Sequence, residues 1–290
     1  MKNISLKSLK LDHFFILSAI AVYILGVFSI NPILVTWNVT SFVSGIMFIF
    51  SVYVLQCYTS SLFNRTIVND ISLRSGKRQL KPQEYIFAFI LLAIIFVCFY
   101  FLLKEQVLIG INLIWIALIT TFLFIQNINL PGPGLKPLNW FFKSLIISPL
   151  IFLFAISLQS HPLDGLKYLM SALLFFLLCS SFIALEFPKF DQASQENAQS
   201  IIPLIGLEKT IYLHNILIFL TYIGLGAYLY FSGNFRSHWT LLLVVIFSLI
   251  QMYLLQRISL GMKPNINLIR ATAIMQFFTF VYLFIFNFFV

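Results

Sequence analysis

Apolar runs of about 18 to 22 residues, separated by polar segments, follow one another along the chain. A helix of that length is about 30 Å long, which matches the hydrocarbon core of a bilayer. The apolar residues are continuous and do not alternate, which excludes the strands of a membrane barrel. The pattern predicts an all-α integral membrane protein with nine spans, at residues 13–31, 40–58, 85–103, 107–126, 138–158, 166–185, 210–231, 238–256 and 268–289.

Composition supports the same class. The 290 residues are 60% apolar and 9% charged, with a mean hydropathy of +0.98. A water-soluble domain of this size and composition would have too few charged residues to cover its surface, so the class of water-soluble proteins is excluded. The polar opening segment leads into the first span without a small-residue cleavage pattern, so no signal peptide is expected. We expect one transmembrane domain over residues 1–290. The three cysteines have no metal-site spacing and are interpreted as packing residues.

The basic residues predict the orientation of the chain. With the N-terminus placed in the cytoplasm, 15 of the 18 Lys and Arg residues fall on the cytoplasmic side of the nine spans. This asymmetry satisfies the positive-inside rule and predicts a multi-pass protein of the cell membrane. Topology therefore accounts for the net charge of +9, and no nucleic-acid partner is predicted.

Two long polar loops are predicted on the cytoplasmic side, at residues 59–84 and 186–209. The second and the sixth spans each lead into one of them, and a further span follows each loop. This matched layout would place both loops over one cavity. We therefore expect the chemistry of the protein at its cytoplasmic face.

The second loop carries a recognisable motif. It opens with Glu-Phe-Pro at 186–188, continues with Asp191 and closes at Gly206. This resembles the second aspartate-rich motif of the UbiA superfamily of intramembrane prenyltransferases, N-E-F-P-D-x-E-x-D-x-x-x-G-K-R-x-L-x-V-x-L-G. Lys189 and Ala193 stand where that family has its metal-binding aspartates.

The first loop is similar to the first motif of the same family. Matching Ser75-Gly76, Pro82 and Glu84 aligns the loop without a gap. The positions of the family's Asn-Asp pair and of its two further aspartates are then occupied by Gln56, Cys57, Ser60 and Asn64. Farther along, Leu135-Lys136 resembles the Leu-Lys pair of another loop of the family.

The resemblance implies a nine-helix bundle around a central cavity that opens to lipid. It also implies transfer of a prenyl group from a polyprenyl diphosphate, with Mg²⁺ ions neutralising the leaving group. Magnesium prefers anionic oxygen ligands, and the motif positions of this chain supply almost none. We therefore predict no metal site and no cofactor, and conventional Mg²⁺-dependent catalysis is not expected.

Two interpretations of the motif positions remain open. In the first, cations hold the diphosphate in place of magnesium, with Lys189 at an aspartate position and further basic residues around it: Arg65, Arg74, Lys77, Arg78 and Lys136. In the second, the same cations only set the topology and contact anionic lipid. The motif positions retained for comparison with the structure are Gln56, Ser60, Asn64, Glu186 and Asp191.

Three functions are compatible with the sequence. The first is a UbiA-like protein that binds or transfers a polyprenyl lipid. The second is a catalytically inactive scaffold that binds a membrane protein partner. The third is a small-molecule transporter, which is disfavoured because no ionisable residue is expected in the middle of a span. Polarity around the cavity would favour the first function, and a cavity filled by some of the 34 Phe side chains would favour the second.

Overall fold

The computed structural model describes residues 12–30, 38–71, 82–108, 110–127, 136–193, 200–233, 238–262 and 265–287. Every regular element in these ranges is helical. We number the helices α1 (His13–Phe28), α2 (Val39–Ile71), α3 (Pro82–Lys104), α4 (Gly110–Asn127), α5 (Asn139–Ser157), α6 (Gly165–Ala193), α7 (Ile201–Ile205), α8 (Leu207–Ser232), α9 (Trp239–Ser259) and α10 (Ile266–Phe286). A short 3₁₀ turn, Lys136–Leu138, precedes α5.

Seven helices are long and apolar enough to cross a bilayer: α2, α3, α5, α6, α8, α9 and α10. The two remaining predicted spans coincide with α1 and α4, which are apolar but shorter. Large apolar side chains on α3 face outward, with Phe89 75% exposed and Phe96 72% exposed. Such a surface is expected of a helix in contact with lipid. The structure thus supports a multi-pass membrane protein. That α1 and α4 also cross the bilayer stays a prediction.

Helical structure continues into both of the predicted polar loops, 59–84 and 186–209, although the apolar spans end at Thr59 and Phe187. Helix α2 continues to Ile71, and α6 continues through Pro188 to Ala193. Hydropathy marks only the part of a helix that lies among apolar surroundings, whereas backbone hydrogen bonds continue through polar residues. Glu186 therefore lies two turns before the end of α6 and does not cap it.

A sharp turn separates the short helix α7 from α8. The Ser200 hydroxyl accepts a hydrogen bond from the Ile202 backbone N–H, which caps the N-terminus of α7. Gly206 then reverses the chain with φ +90°, a backbone conformation that is strained for residues with a Cβ. The backbone conformation at this motif position therefore favours glycine over every other residue.

Helix α6 lies at the centre of the described bundle and packs against α5, α8 and α10. Helix α1 packs against α2, α5 and α10. The long helices alternate in direction from one to the next along the chain, so the starts of α1, α5 and α8 lie at the same end of the bundle as the ends of α2, α6 and α9. We call this the proximal end, and the opposite end the distal end. A hydrogen-bonded group of Asn38, Glu105 and Gln159 lies at the distal end.

Close contacts fix α1 and α2 in this bundle. A Cβ at Gly26 would lie 2.8 Å from the Phe152 carbonyl oxygen of α5, so only glycine allows this approach. Gly45 of α2 packs against the Tyr23 hydroxyl, which donates to the Phe42 carbonyl oxygen at 3.2 Å. In α5, the residues around Pro149 wind as a π-helix over Ile146–Phe152.

Candidate functional site

An ion pair stands at the proximal end between α1 and α5. The Asp12 carboxylate caps α1 by accepting the Phe15 backbone N–H at 3.2 Å. Its other oxygen binds the Lys143 ammonium. The Lys143 side chain is only 13% exposed, and that of Asp12 is 34% exposed. A charge this deeply placed requires a charged partner, which each residue supplies for the other.

Helix α2 adds polar groups to this ion pair at the first motif. The Tyr53 hydroxyl accepts a hydrogen bond from the Asp12 backbone N–H at 3.2 Å. Cys57 lies one turn after Tyr53 on α2, and its thiol is within electrostatic range of Lys143 and Asp12. Cys57 occupies a position where the UbiA motif has an aspartate. In this chain a thiol occupies that position, within electrostatic range of a cation and a carboxylate.

Four phenylalanines, which we call the aromatic cluster, border the ion pair: Phe14, Phe182, Phe277 and Phe278. The ring of Phe14 contacts the ring of Phe182 edge-on, with 5.1 Å between centroids. The Lys143 ammonium lies 5.5 Å from the centroid of Phe182. The cluster fills the space between α1, α6 and α10 and excludes water from one side of Lys143.

A buried amide lies one turn beyond Tyr53 on α2. Gln56 is 1% exposed, and neither its amide nitrogen nor its amide oxygen has a hydrogen-bond partner among the described residues. Leaving both atoms without a partner costs free energy, which a bound water or ligand would recover. Gln56 occupies the position of the asparagine in the family's first motif, so a polar side chain is retained there.

A second buried polar group connects α8 to α9. His214 is fully buried, with its Nε2 atom 3.1 Å from Gln251 Oε1 and its Nδ1 atom 3.1 Å from Asn215 Oδ1. On α10, the Gln276 amide is buried and has no partner in the described part of the chain. His214 lies about one turn after Thr210, near the proximal end of α8, so the expectation of no ionisable residue in the middle of a span stays a prediction.

Most of the predicted cation site lies outside what the structure describes. The backbone of Ser60, Asn64 and Arg65 belongs to α2, that of Lys189 and Asp191 belongs to α6, and that of Lys136 belongs to the 3₁₀ turn. Their side chains, and the whole of Arg74, Lys77 and Arg78, are not among the described parts. Glu186 is half-buried and interacts with a neighbouring group. The diphosphate role of these cations stays a prediction.

The donor groups do not fit magnesium. No set of three or more His, Cys, Asp or Glu side chains in the described ranges could hold a metal ion together. Among the described side chains of the first motif are the Gln56 amide and the Cys57 thiol, whereas Mg²⁺ selects carboxylate and phosphate oxygens. No step of the proposed function is therefore assigned to a metal.

A narrow apolar groove with about 20 Å³ of accessible space lies between α1 and α2. Its lining includes Ala19 and Ile20 on α1, and Ile46 and Ile49 on α2. Phe15 and Tyr53 close its proximal end with stacked rings, 4.7 Å between centroids. Both residues also hydrogen-bond Asp12, so the groove ends at the ion pair.

No protein-family model matches the chain, and no curated protein sequence matches it. The chain is similar to a solved structure of digeranylgeranylglyceryl phosphate synthase, a UbiA-superfamily membrane prenyltransferase. The TM-score is 0.64 at 17% sequence identity, over 94% of this chain and 92% of that chain. A structural similarity at 17% sequence identity establishes the fold alone. It confirms, for the fold, the resemblance that the two motifs indicated. The chain has the fold of the UbiA superfamily of intramembrane prenyltransferases.

Proposed function

We propose that the protein is a UbiA-like membrane prenyltransferase homologue that binds, or transfers a prenyl group from, a polyprenyl diphosphate lipid. The observation that carries the proposal is the fold shared with a prenyltransferase over 94% of the chain. Cys57, at a first-motif position, lies within electrostatic range of Lys143 at the proximal end, where a phosphorylated headgroup would need positive charge. The buried Gln56 amide adds polarity there.

The proposed arrangement is one transmembrane domain of nine spans with its N-terminus in the cytoplasm. Seven helices of spanning length and two shorter apolar helices support the number of spans. The predominance of Lys and Arg at the proximal end supports the orientation. In this arrangement a lipid-accessible cavity opens at the proximal, cytoplasmic end.

Diphosphate binding in this proposal does not depend on Mg²⁺. Lysine and arginine can hold a diphosphate through charge-assisted hydrogen bonds, and Lys189 occupies one of the aspartate positions of the second motif. An ammonium group polarises a leaving oxygen less than a divalent ion does. We therefore expect lipid binding to be retained and prenyl transfer to be slow.

The first test is thermal unfolding of the purified protein in detergent, with geranylgeranyl diphosphate titrated in Mg²⁺ and again in EDTA. We expect the lipid to raise Tm equally under both conditions, since binding stabilises the folded state by mass action. A rise in Tm that EDTA abolishes would identify a conventional metal-dependent site and contradict metal-free binding. No rise under either condition would contradict the proposed function.

The aromatic cluster favours a second candidate, an inactive scaffold. Its four rings occupy interior space beside Lys143, where a substrate would otherwise displace water. A scaffold would show no change in Tm with any prenyl diphosphate. It would instead remain associated with a membrane protein during purification in mild detergent.

A further inference from the structure

We propose that His214, Gln251 and Gln276 form an internal hydration site, in which one or two water molecules bridge α8, α9 and α10 within the membrane-spanning part of the bundle. All three side chains are fully buried. The site involves neither the Asp12–Lys143 ion pair nor the motif positions, and it does not depend on the binding of a prenyl lipid.

Two of these side chains carry hydrogen-bonding atoms without a partner. The Gln251 amide nitrogen, and both the nitrogen and the oxygen of the Gln276 amide, are unpaired within the described ranges. The interior of a membrane span offers no bulk water, so each unpaired atom would bear the full cost of its desolvation. Buried waters occupy such positions in proteins, with about three hydrogen bonds each to polar groups that otherwise lack partners.

The hydrogen bonds of His214 leave part of the Gln251 amide free. The Nε2 atom lies 3.1 Å from Gln251 and the Nδ1 atom 3.1 Å from Asn215. Both partners are neutral, so the fully buried imidazole is neutral as well, since an isolated buried charge is costly. A neutral imidazole has one N–H and one bare nitrogen, so one amide presents its oxygen to the ring and the other presents its NH₂ group. In either orientation, the other end of the Gln251 amide stays available to a ligand.

The packing of the helices places the three side chains at one level of the bundle. Each lies one turn farther from the proximal end than an apolar residue of its own helix, and these apolar residues belong to one buried cluster: Ile211 on α8, Leu255 on α9 and Ala273 on α10. Residues three or four apart share a helix face, so the next turn directs His214, Gln251 and Gln276 into the same interior space. Helix α9 packs against both α8 and α10, as a bridge between them requires.

Helix α6 adds two buried hydroxyls at this level. Ser180 and Ser181 precede two further members of the same apolar cluster, Ile183 and Ala184, by one turn. Both hydroxyls donate to the Leu177 carbonyl oxygen, at 2.8 and 3.0 Å. Each hydroxyl oxygen can still accept a hydrogen bond, so α6 offers acceptors for the hydrogens of a bound water.

The surroundings of this level select a small neutral ligand. The apolar cluster lies on its proximal side, and Leu217 and Phe280 lie one turn beyond His214 and Gln276 on its distal side. The polar level is therefore about one helical turn, or roughly 5 Å, in height, which suits water and is too short for a lipid chain. An ion would require a charged partner, whereas the groups that form the site are amides, hydroxyls and a neutral imidazole.

The direct test is X-ray radiolysis of the full-length protein in detergent, followed by mass spectrometry. Radiolysis of a bound water releases a hydroxyl radical, which oxidises the nearest reactive side chain. We expect His214 to be oxidised in spite of its burial. Phe152, which is equally buried but lies in an apolar part of α5, is the internal control and should be oxidised several times more slowly.

A matched pair of variants tests the bridge. Gln276→Met keeps the size of the side chain but removes both hydrogen-bonding atoms, so it should slow the oxidation of His214 severalfold. It should also lower Tm by roughly 2–4 °C, because the remaining groups lose the water that they share. Gln256→Met, at an exposed position of α9, should change neither measurement.

Each contrary outcome overturns the inference. If His214 is oxidised no faster than Phe152, the site holds no water, and a lower Tm of Gln276→Met without this oxidation would indicate a direct bond between the two amides. Oxidation of His214 that Gln276→Met leaves unchanged would place the water elsewhere. An unchanged or higher Tm of Gln276→Met would show that the amide is not bonded at all. If that variant does not fold, the comparison of His214 with Phe152 in the wild-type protein decides the result.

Discussion

At the scale of single residues, Gly45 shows how closely α1 and α2 are fitted. Its Cα faces the Tyr23 hydroxyl, which donates to carbonyl oxygens of α2. A methyl group there would overlap the hydroxyl and the phenol ring, and Tyr23 is fully buried and cannot move away. The distal part of the groove between α1 and α2 therefore requires glycine at position 45.

We expect Gly45→Ala to destabilise the protein by about 1–3 kcal/mol, the usual cost of overpacking a dense interior. Thermal unfolding in one detergent measures the change. The control is Gly226→Ala on α8, where a new Cβ would meet no atom within 4 Å. That variant should be neutral or slightly more stable, since alanine favours a helix over glycine. Equal losses in the two variants would contradict the packing argument.

Residues of the proximal ion pair show what the sequence could not predict. The motif register placed Gln56 and Cys57 at a candidate site, and the structure places Cys57 beside charged groups. Asp12 and Lys143 carry no motif and are 131 residues apart, so nothing in the sequence indicates that they pair. The sequence shows only one charged residue near the start of each of two predicted spans. Membrane topology alone accounts for such charges, so they do not indicate an ion pair.

At the scale of helices, apolar runs predicted which segments form helices better than where those helices end. The extension of α2 to Ile71 and of α6 to Ala193 lies in polar sequence, where hydropathy carries no information. Nothing in the sequence indicates which residue forms a hydrogen bond with His214. Gln251 lies 37 residues later, and only the packing of α8 against α9 brings the two together.

The His214–Gln251 hydrogen bond should stabilise the pairing of α8 with α9. Gln251→Leu leaves the Nε2 atom of a fully buried histidine without that partner, at a cost of about 1–3 kcal/mol. Thermal unfolding of Gln251→Leu, His214→Leu and the double variant measures the coupling. Gln256→Leu, at an exposed position of the same helix, is the control and should change Tm little. Additive effects of the two substitutions would show that the side chains are not coupled.

At the scale of the whole molecule, the motif resemblance predicted the fold even though the metal-binding residues of the motifs are absent. Gly206 is a position that shapes the chain, since it adopts a positive φ at the turn between α7 and α8. Metal-binding aspartates do not determine the path of the helices, so their replacement leaves the fold intact. The same reasoning cannot predict the activity, which depends on the side chains at the site.

The proposed orientation predicts opposite accessibility for the two ends of the bundle. In a cysteine-free background, Ser160→Cys at the distal end should react with a membrane-impermeant maleimide in intact cells. Met262→Cys, exposed at the proximal end, should react only after the cells are permeabilised. Labelling of Met262→Cys in intact cells would reverse the topology and place the proximal end outside the cytoplasm.

The ion pair between α1 and α5 has a consequence for biosynthesis. Asp12 leaves the ribosome 131 residues before Lys143, which corresponds to roughly 7 to 26 seconds of translation at ~5–20 residues per second. In the proposed nine-span arrangement α1, a 16-residue apolar helix, is inserted during that interval without its contact to α5. The translocon or another early helix therefore has to retain α1 until α5 is made. A nascent chain that stops before Lys143 is synthesised would lack the bond that secures its first helix.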